Sequence, residues 1–184
     1  VSDHAAADTH PASAIWTIGH STRAIDEFVA LLHTHRIARL ADVRTVPRSR
    51  RHPHFSADQL PTSLAAAGID YLHVAGLGGL RRPRRDSTNL GWQNESFRGY
   101  ADYMQTAPFE EGLRELEAYA ADRTVIMCAE AVWWRCHRQL IADALVARGV
   151  EVRHILSAGP AEPHRLTSFA VVEGRRVRYP GLLG

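Results

Sequence analysis

The twelve residues Met127-Cys-Ala-Glu-Ala-Val-Trp-Trp-Arg-Cys-His-Arg138 bring both cysteines of the chain together with Glu130, His137, two arginines and two tryptophans. Thiols offer a nucleophile, a carboxylate and an imidazole offer proton transfer, and guanidinium groups orient anions. The apolar run Thr124-Val-Ile-Met127 leads into the segment and predicts a buried strand. Beyond it, Leu140, Ile141, Ala144 and Leu145 have the spacing of a helix packed on a sheet. The reactive groups therefore fall where a strand ends and a helix begins, the place where open α/β folds bind ligands.

The spacing narrows the thiol chemistry. Seven residues lie between Cys128 and Cys136, which is neither C-x-x-C nor the haem-attachment motif C-x-x-C-H. Cys128 and Arg135 invite comparison with thiolate phosphate cradles, but the interval is C-x6-R and the loop holds Glu130, two tryptophans and no glycine. A carboxylate repels a phosphate, and bulky side chains hinder close backbone approach. Arg135, Arg138 and the start of the helix are expected to favour thiolate at Cys128, unless that thiol merely packs. Glu130 is a candidate acid or base, or a partner for Arg135 or Arg138. His137 is a second candidate, or a core histidine with one nitrogen satisfied.

Other strand ends add to this set. Ala14 to Ile18 reads as a first strand ending at Gly19-His20, where the His20 imidazole is expected to titrate near neutral pH. Ile37 to Val43 holds a second strand, and Asp42 and Arg44 at its end point the same way because side chains alternate. Arg48 and Arg98, on later loops, and Trp134, with the other aromatics near arginines, are candidates for holding an anion or stacking a base. All 22 basic residues are arginine. The absence of lysine excludes a Schiff-base lysine and a phosphate-loop lysine. Arginines cluster at 44–51 and 81–85, giving nine against four acids between Val43 and Ala101. That excess favours anions but falls short of a dedicated DNA-binding surface.

The elements that must hold these residues alternate. A helix follows the first strand, with Ser21 or Thr22 as its cap and Ile25, Phe28, Val29 and Leu32 on one apolar face. Ser56 to Ala67 reads as a second helix, limited or bent by Pro61 and closed by Gly68. Asp70 to Val74 is a third strand, followed by a long basic loop over 76–95. Helices over 96–106 and 109–121, divided at Pro108, precede the cysteine-bearing strand. Val150 to Leu156 is a fifth strand, and 168–179 a hairpin turning at Glu173-Gly174. The sum is a single α/β domain over 15–184: a mostly parallel sheet of about five strands covered by helices, with a small C-terminal hairpin. Val1 to Ala14, polar and Ala/His-rich, is expected to be a disordered tail.

At 184 residues, 45% hydrophobic and 23% charged, the composition is that of a globular protein with a substantial core. No apolar run is long enough to cross a bilayer, and two cysteines make no disulfide framework, so a cytoplasmic location is expected.

Several motifs in order, Thr17-Ile-Gly-His-Ser-Thr22, Asp42-Val-Arg44, Pro47-Arg-Ser-Arg50, Gly91-Trp-Gln-Asn94, Ser96 to Tyr103, Met127-Cys-Ala-Glu130 and Trp134 to Arg138, resemble one bacterial family. It is domain-of-unknown-function family 488, and the resemblance runs from Thr17 to Tyr179. It implies a compact α/β domain with enzymatic character and leaves the reaction open. From the residues, the leading expectation is an enzyme acting on an anionic substrate, a nucleotide or nucleic-acid component, by hydrolysis or group transfer. Its pocket would lie at the strand carboxyl ends and require no cofactor. A metal- or haem-dependent redox enzyme is an alternative, since eleven histidines and two thiols supply ligands that no spacing organises. A non-catalytic nucleic-acid-binding module is another.

Overall fold

A computed structural model describes residues 14–181. The expected disordered tail lies outside them except for Ala14, which opens the first strand. Five parallel strands form the sheet: β1 (Ala14–Gly19), β2 (Arg39–Asp42), β3 (Asp70–His73), β4 (Thr124–Cys128) and β5 (Glu151–Ile155). A short sixth strand, β6 (Glu162–Pro163), adds antiparallel to β5, giving the order β3-β2-β4-β1-β5-β6. The expected hairpin is present as β7 (Val171–Glu173) and β8 (Arg176–Arg178). The α/β architecture read from the sequence is therefore correct. The added β6 is only two exposed residues, too short to leave a period-two pattern.

The central strands are apolar on both faces because helices cover both. On one side α1 (Ile25–Thr34) and α2 (Leu60–Ala66) press Phe28, Leu32, Leu60 and Leu64 against Ile18, Leu40, Val125 and Met127. On the other, α3 (Glu95–Tyr103), α4 (Ala107–Tyr119) and α5 (Arg138–Val146) bury Tyr100, Phe109, Leu113, Leu140 and Leu145 over Ala41, Ile126 and Cys128. Burying a side chain of this size contributes about 1.5–3 kcal/mol, so the two layers rather than any single contact hold the sheet. Strand alternation thereby turns Cys128 toward α5 and its predecessor Met127 toward α1.

Helix boundaries shift where caps were misread. The cap of α1 is Ala24, whose N–H donates to Glu27 Oε2 at 3.2 Å, while Ser21 takes a left-handed turn at φ 52°. Pro61 opens α2 rather than bending it, since the first helical turn needs no N–H from proline. Residues 56–59 are consequently outside the helix. Pro108 opens α4 in the same way.

A chain of hydrogen bonds crosses the interior between β1, α5 and the C-terminal segment. Asp143 accepts from His164 Nε2 at 2.8 Å and from the Tyr179 hydroxyl at 2.7 Å. His164 Nδ1 is hydrogen-bonded to His154 Nε2 at 2.9 Å, and His154 Nδ1 to the Thr17 hydroxyl at 2.7 Å. Arg138 approaches that hydroxyl at 3.5 Å. A neutral His154 ring has one donor and one acceptor nitrogen, so it can relay between the Thr17 hydroxyl and His164. Burial, then His164 and Arg138, hold His154 down to about 3, in keeping with a neutral ring.

Candidate active site

The register places three strand ends side by side: Gly19 pairs with Cys128, and Asp42 with Met127. Just beyond them the chain leaves the sheet, and a cavity of about 710 Å³ opens there. The space is within the usual range for small-molecule sites. Its floor carries Cys128, Cys136 and His137, and Arg44, Arg48, Arg81, Arg82 and Arg135 line it from the floor to the rim. Glu130 is the one carboxylate among the described lining residues.

Why the strand ends can approach so closely is visible at Gly19. A Cβ there would lie 1.7 Å from the Glu130 carbonyl oxygen and 2.9 Å from an Arg138 nitrogen. With hydrogen alone, His20 and Ser21 donate their N–H groups to the carbonyls of Cys128 and Ala129, both at 2.9 Å, and lock the two loops together. Gly79 serves the second arginine loop similarly. A Cβ there would meet His137 Nδ1 at 2.6 Å.

At the floor, His137 Nε2 donates to the Val43 carbonyl at 2.9 Å. The other nitrogen, Nδ1, faces both sulfurs, 3.6 Å from Cys136 Sγ and 3.8 Å from Cys128 Sγ. The thiols are free and buried. Donation of its hydrogen to Cys136, aided by burial, holds the Cys128 thiol well above the ordinary range. Burial also opposes charge on Cys136, but the hydrogen bond from Cys128, the contact with His137 and the buried Arg138 bring it well below. The pair thus loses one proton readily and keeps the second. Helix α5 begins only at Arg138, after a 3-10 turn over Trp133–Arg135, so the helix start expected beside Cys128 lies beyond Cys136 and His137.

Arg138 is fully buried beneath this centre. Its guanidinium donates to the Glu130 carbonyl at 2.5 Å, and no carboxylate among the described residues pairs with it. It is therefore an internal positive charge that favours thiolate, rather than a group that touches substrate. The expected Glu130 ion pair is absent among the described residues: its carbonyl accepts from Arg138, and the exposed residue borders the cavity with no hydrogen bond to its carboxylate among the described residues.

Asp42 and Arg44 do share a face, but they face each other. Arg44 donates to both Asp42 oxygens at 2.5–3.1 Å and to the Phe55 carbonyl, and Tyr71 donates to Asp42 as well. Asp42 is buried and outside the cavity lining, so its place is under the site, orienting Arg44. His20 stacks on Phe55 at 4.2 Å and donates from Nδ1 to the Ser21 carbonyl. Burial and the facing Arg44 push it down to about 4, so it is a neutral wall at physiological pH and not the neutral-range base expected. Arg98 lies outside the cavity lining, 3.7 Å from Glu95. Trp134 is half-exposed, edge-on to Trp133, and also outside the lining.

Residues that the sequence offered only as part of a pair or a cluster, or did not single out, complete the site. Cys136, Arg81, Arg82 and Asn94 line it, with Phe97 from α3 the one expected aromatic to do so. Arg81 lies over the Tyr103 ring at 3.6 Å and donates to the Gly78 carbonyl, so its plane is fixed. The arginine cluster at 81–85 was the available signal. What it hid was the split: Arg81 and Arg82 border the cavity, Arg82 exposed at its edge, while Arg84 pairs with Asp86 in solvent. Trp92, Tyr100 and Trp133 serve the core, Trp133 stacking on His154 at 4.2 Å.

None of the described helices is long and apolar enough to cross a membrane. No curated protein and no solved structure matches the chain. A family model described as "Domain of unknown function DUF488" matches residues 24–145, a shorter span than the motif resemblance, which also takes in His20 and the C-terminal segment. That span includes β2, the arginine loops and the whole Cys128–Arg138 segment, and the chain belongs to this family.

Proposed function

We propose that this protein is an enzyme that draws an anionic substrate into the arginine-lined cavity and hydrolyses it or transfers a group from it. The observation that carries the reading is the convergence, in one cavity, of a sulfur–imidazole centre with arginines that carboxylates leave unpaired among the described residues. Arg48, Arg81, Arg82 and Arg135 have no carboxylate partner among the described residues, in contrast to the surface pairs Arg84–Asp86 and Arg153–Glu151. Guanidinium forks match phosphate and carboxylate oxygens, and a half-enclosed site strengthens them over their value in water. The volume and Phe97 suit a nucleotide or nucleic-acid component, with a base against the ring and its phosphate on the arginines.

The centre on the floor supplies the activated nucleophile, with the proton exchanged between His137 Nδ1 and the sulfurs. Glu130, on the rim of the same cavity, takes up or returns a proton as the leaving group departs. A purely nucleic-acid-binding module receives less support, because the arginines border a concavity rather than an open stripe.

The test is turnover of nucleotides, phosphate monoesters and carboxylate esters by the full chain and three variants. Cys136→Ser and Glu130→Gln should each abolish most turnover of the responsive class. Arg81→Ala with Arg82→Ala should raise KM for the same compound. Unchanged turnover in both Cys136→Ser and Glu130→Gln would eliminate the assignment.

A further inference from the structure

We propose that Cys128, Cys136 and His137 form a zinc site with three protein ligands, whose fourth position opens into the arginine-lined cavity. The three side chains come from the end of β4 and the turn into α5, and their ligating atoms lie within 4.8 Å of one another. The separations can be checked against coordination geometry. Zinc–sulfur bonds of about 2.3 Å and zinc–nitrogen bonds of about 2.0–2.1 Å, at tetrahedral angles, put sulfur and nitrogen about 3.6 Å apart. His137 Nδ1 is 3.6 Å from one sulfur and 3.8 Å from the other. A single nitrogen lone pair can accept a hydrogen from only one thiol. Two sulfurs converge on one nitrogen at nearly equal distance, the arrangement in which a shared cation would sit.

The surroundings fit the same ion. His137 Nε2 donates to the Val43 carbonyl, which fixes the tautomer with Nδ1 free, the usual outer partner of a metal-bound imidazole. Gly79 leaves the room above Nδ1 that a Cβ would take. Two thiolates and an imidazole select zinc over magnesium or calcium, which prefer oxygen. Three protein ligands with an open position distinguish a catalytic from a closed structural zinc site. All three residues line the cavity, so a water or a substrate oxygen can occupy that position.

This inference keeps the enzymatic reading of the cavity but puts a metal-held water in place of the sulfur nucleophile, since ligated sulfurs and Nδ1 are no longer free to exchange a proton; binding itself is measurable without turnover. Full-length protein, reduced and stripped of metal, is titrated with cobalt(II) and then with zinc. One cobalt per chain is expected, with thiolate-to-metal charge transfer and the intense visible bands of a tetrahedral site, both bleached as zinc displaces it. Blocking of the thiols by a maleimide should slow sharply in the zinc form. Cys128→Ser, Cys136→Ser and His137→Gln should each weaken binding by about 100-fold or more. The wild-type spectrum decides even if a variant fails to fold. A pale octahedral spectrum without charge transfer, or no uptake above that of the doubly substituted Cys128→Ser/Cys136→Ser chain, would overturn the site. Inorganic phosphate binding by the metal-free protein, read against Arg81→Ala with Arg82→Ala, is independent of the ion. Phosphate binding with turnover in the absence of cobalt uptake leaves the enzyme a thiol enzyme. Cobalt uptake without anion binding or turnover retains the metal site and removes the enzymatic reading.

Discussion

Acidification should destabilise this fold through two histidines well before its carboxylates titrate. His154 is held down to about 3, first by burial and then by His164 and Arg138. His20 is held down to about 4 by burial, with Arg44 and His52 opposing its charge and the Ser21 carbonyl and Asp42 favouring it. Both start from 6.5 in the unfolded chain. Between each folded value and 6.5 the unfolded chain binds a proton that the native state does not, so stability rises with pH across that window and is lost as pH falls. Above 6.5 both are neutral in either state and the effect is flat. One pH unit is worth about 1.4 kcal/mol per group, so at pH 5 each histidine costs about 2 kcal/mol and the two together about 4. That is a large part of the 5–15 kcal/mol typical of a domain. Urea unfolding at pH 7.5, 6 and 5 reads this directly as a falling midpoint at constant slope. In His154→Gln the loss between pH 7.5 and 5 should shrink by about half, whatever that variant's stability at pH 7.5. A midpoint that stays level from pH 7.5 to 5, or an undiminished loss in the His20→Gln/His154→Gln chain, would refute the reasoning.

Three further outcomes follow from packing and the site. Gly19→Ala should destabilise the chain by about 1–3 kcal/mol or more, read by thermal unfolding, because the new methyl meets the Glu130 carbonyl and two loops must part. Glu130→Gln should leave the unfolding midpoint within about 0.5 kcal/mol of the parent, since its carboxylate makes no hydrogen bond among the described residues, while lowering turnover by about 10²–10⁴-fold. Tyr100→Phe should cost about 1–3 kcal/mol in urea unfolding by leaving the Leu77 carbonyl unpaired in the core.

Much of the fold was legible because the five parallel strands and their helices are long, apolar and punctuated. Val125, Ile126 and Met127 are buried for the reason their run suggested, and Gly68 closes α2 with φ 73° where a left-handed residue was expected. The site was legible to the level of the strand end and no further. Chain position put His20, Asp42, Arg44 and Cys128 at one rim, and the register brings those strand ends level. Sequence could not say which partner each would find. Asp42 is consumed by Arg44 and Tyr71, and Arg138 is drawn inward to the Glu130 carbonyl. Arg81 is aimed by a tyrosine twenty-two positions away. Each outcome depends on a contact between segments, which no local period encodes.

The same contacts explain why Cys136 was undervalued. In the sequence it sits next to His137 in what reads as the first turns of a helix, where adjacent side chains diverge. The 3-10 turn at Trp133–Arg135 delays α5, leaves Cys136 extended at φ −135° and ψ 150°, and folds its sulfur back to share His137 Nδ1 with Cys128. A displacement of a few residues in one helix start thus converts two separated cysteines into a single reactive centre. The buried Arg138 immediately after it ties that centre to β1 through Thr17 and to the Asp143 network beyond. The C-terminal segment contributes His164, Thr167 and Tyr179 to the same network. Its packing against Asp143 therefore supports the cation under the thiols, although no atom of it lines the cavity.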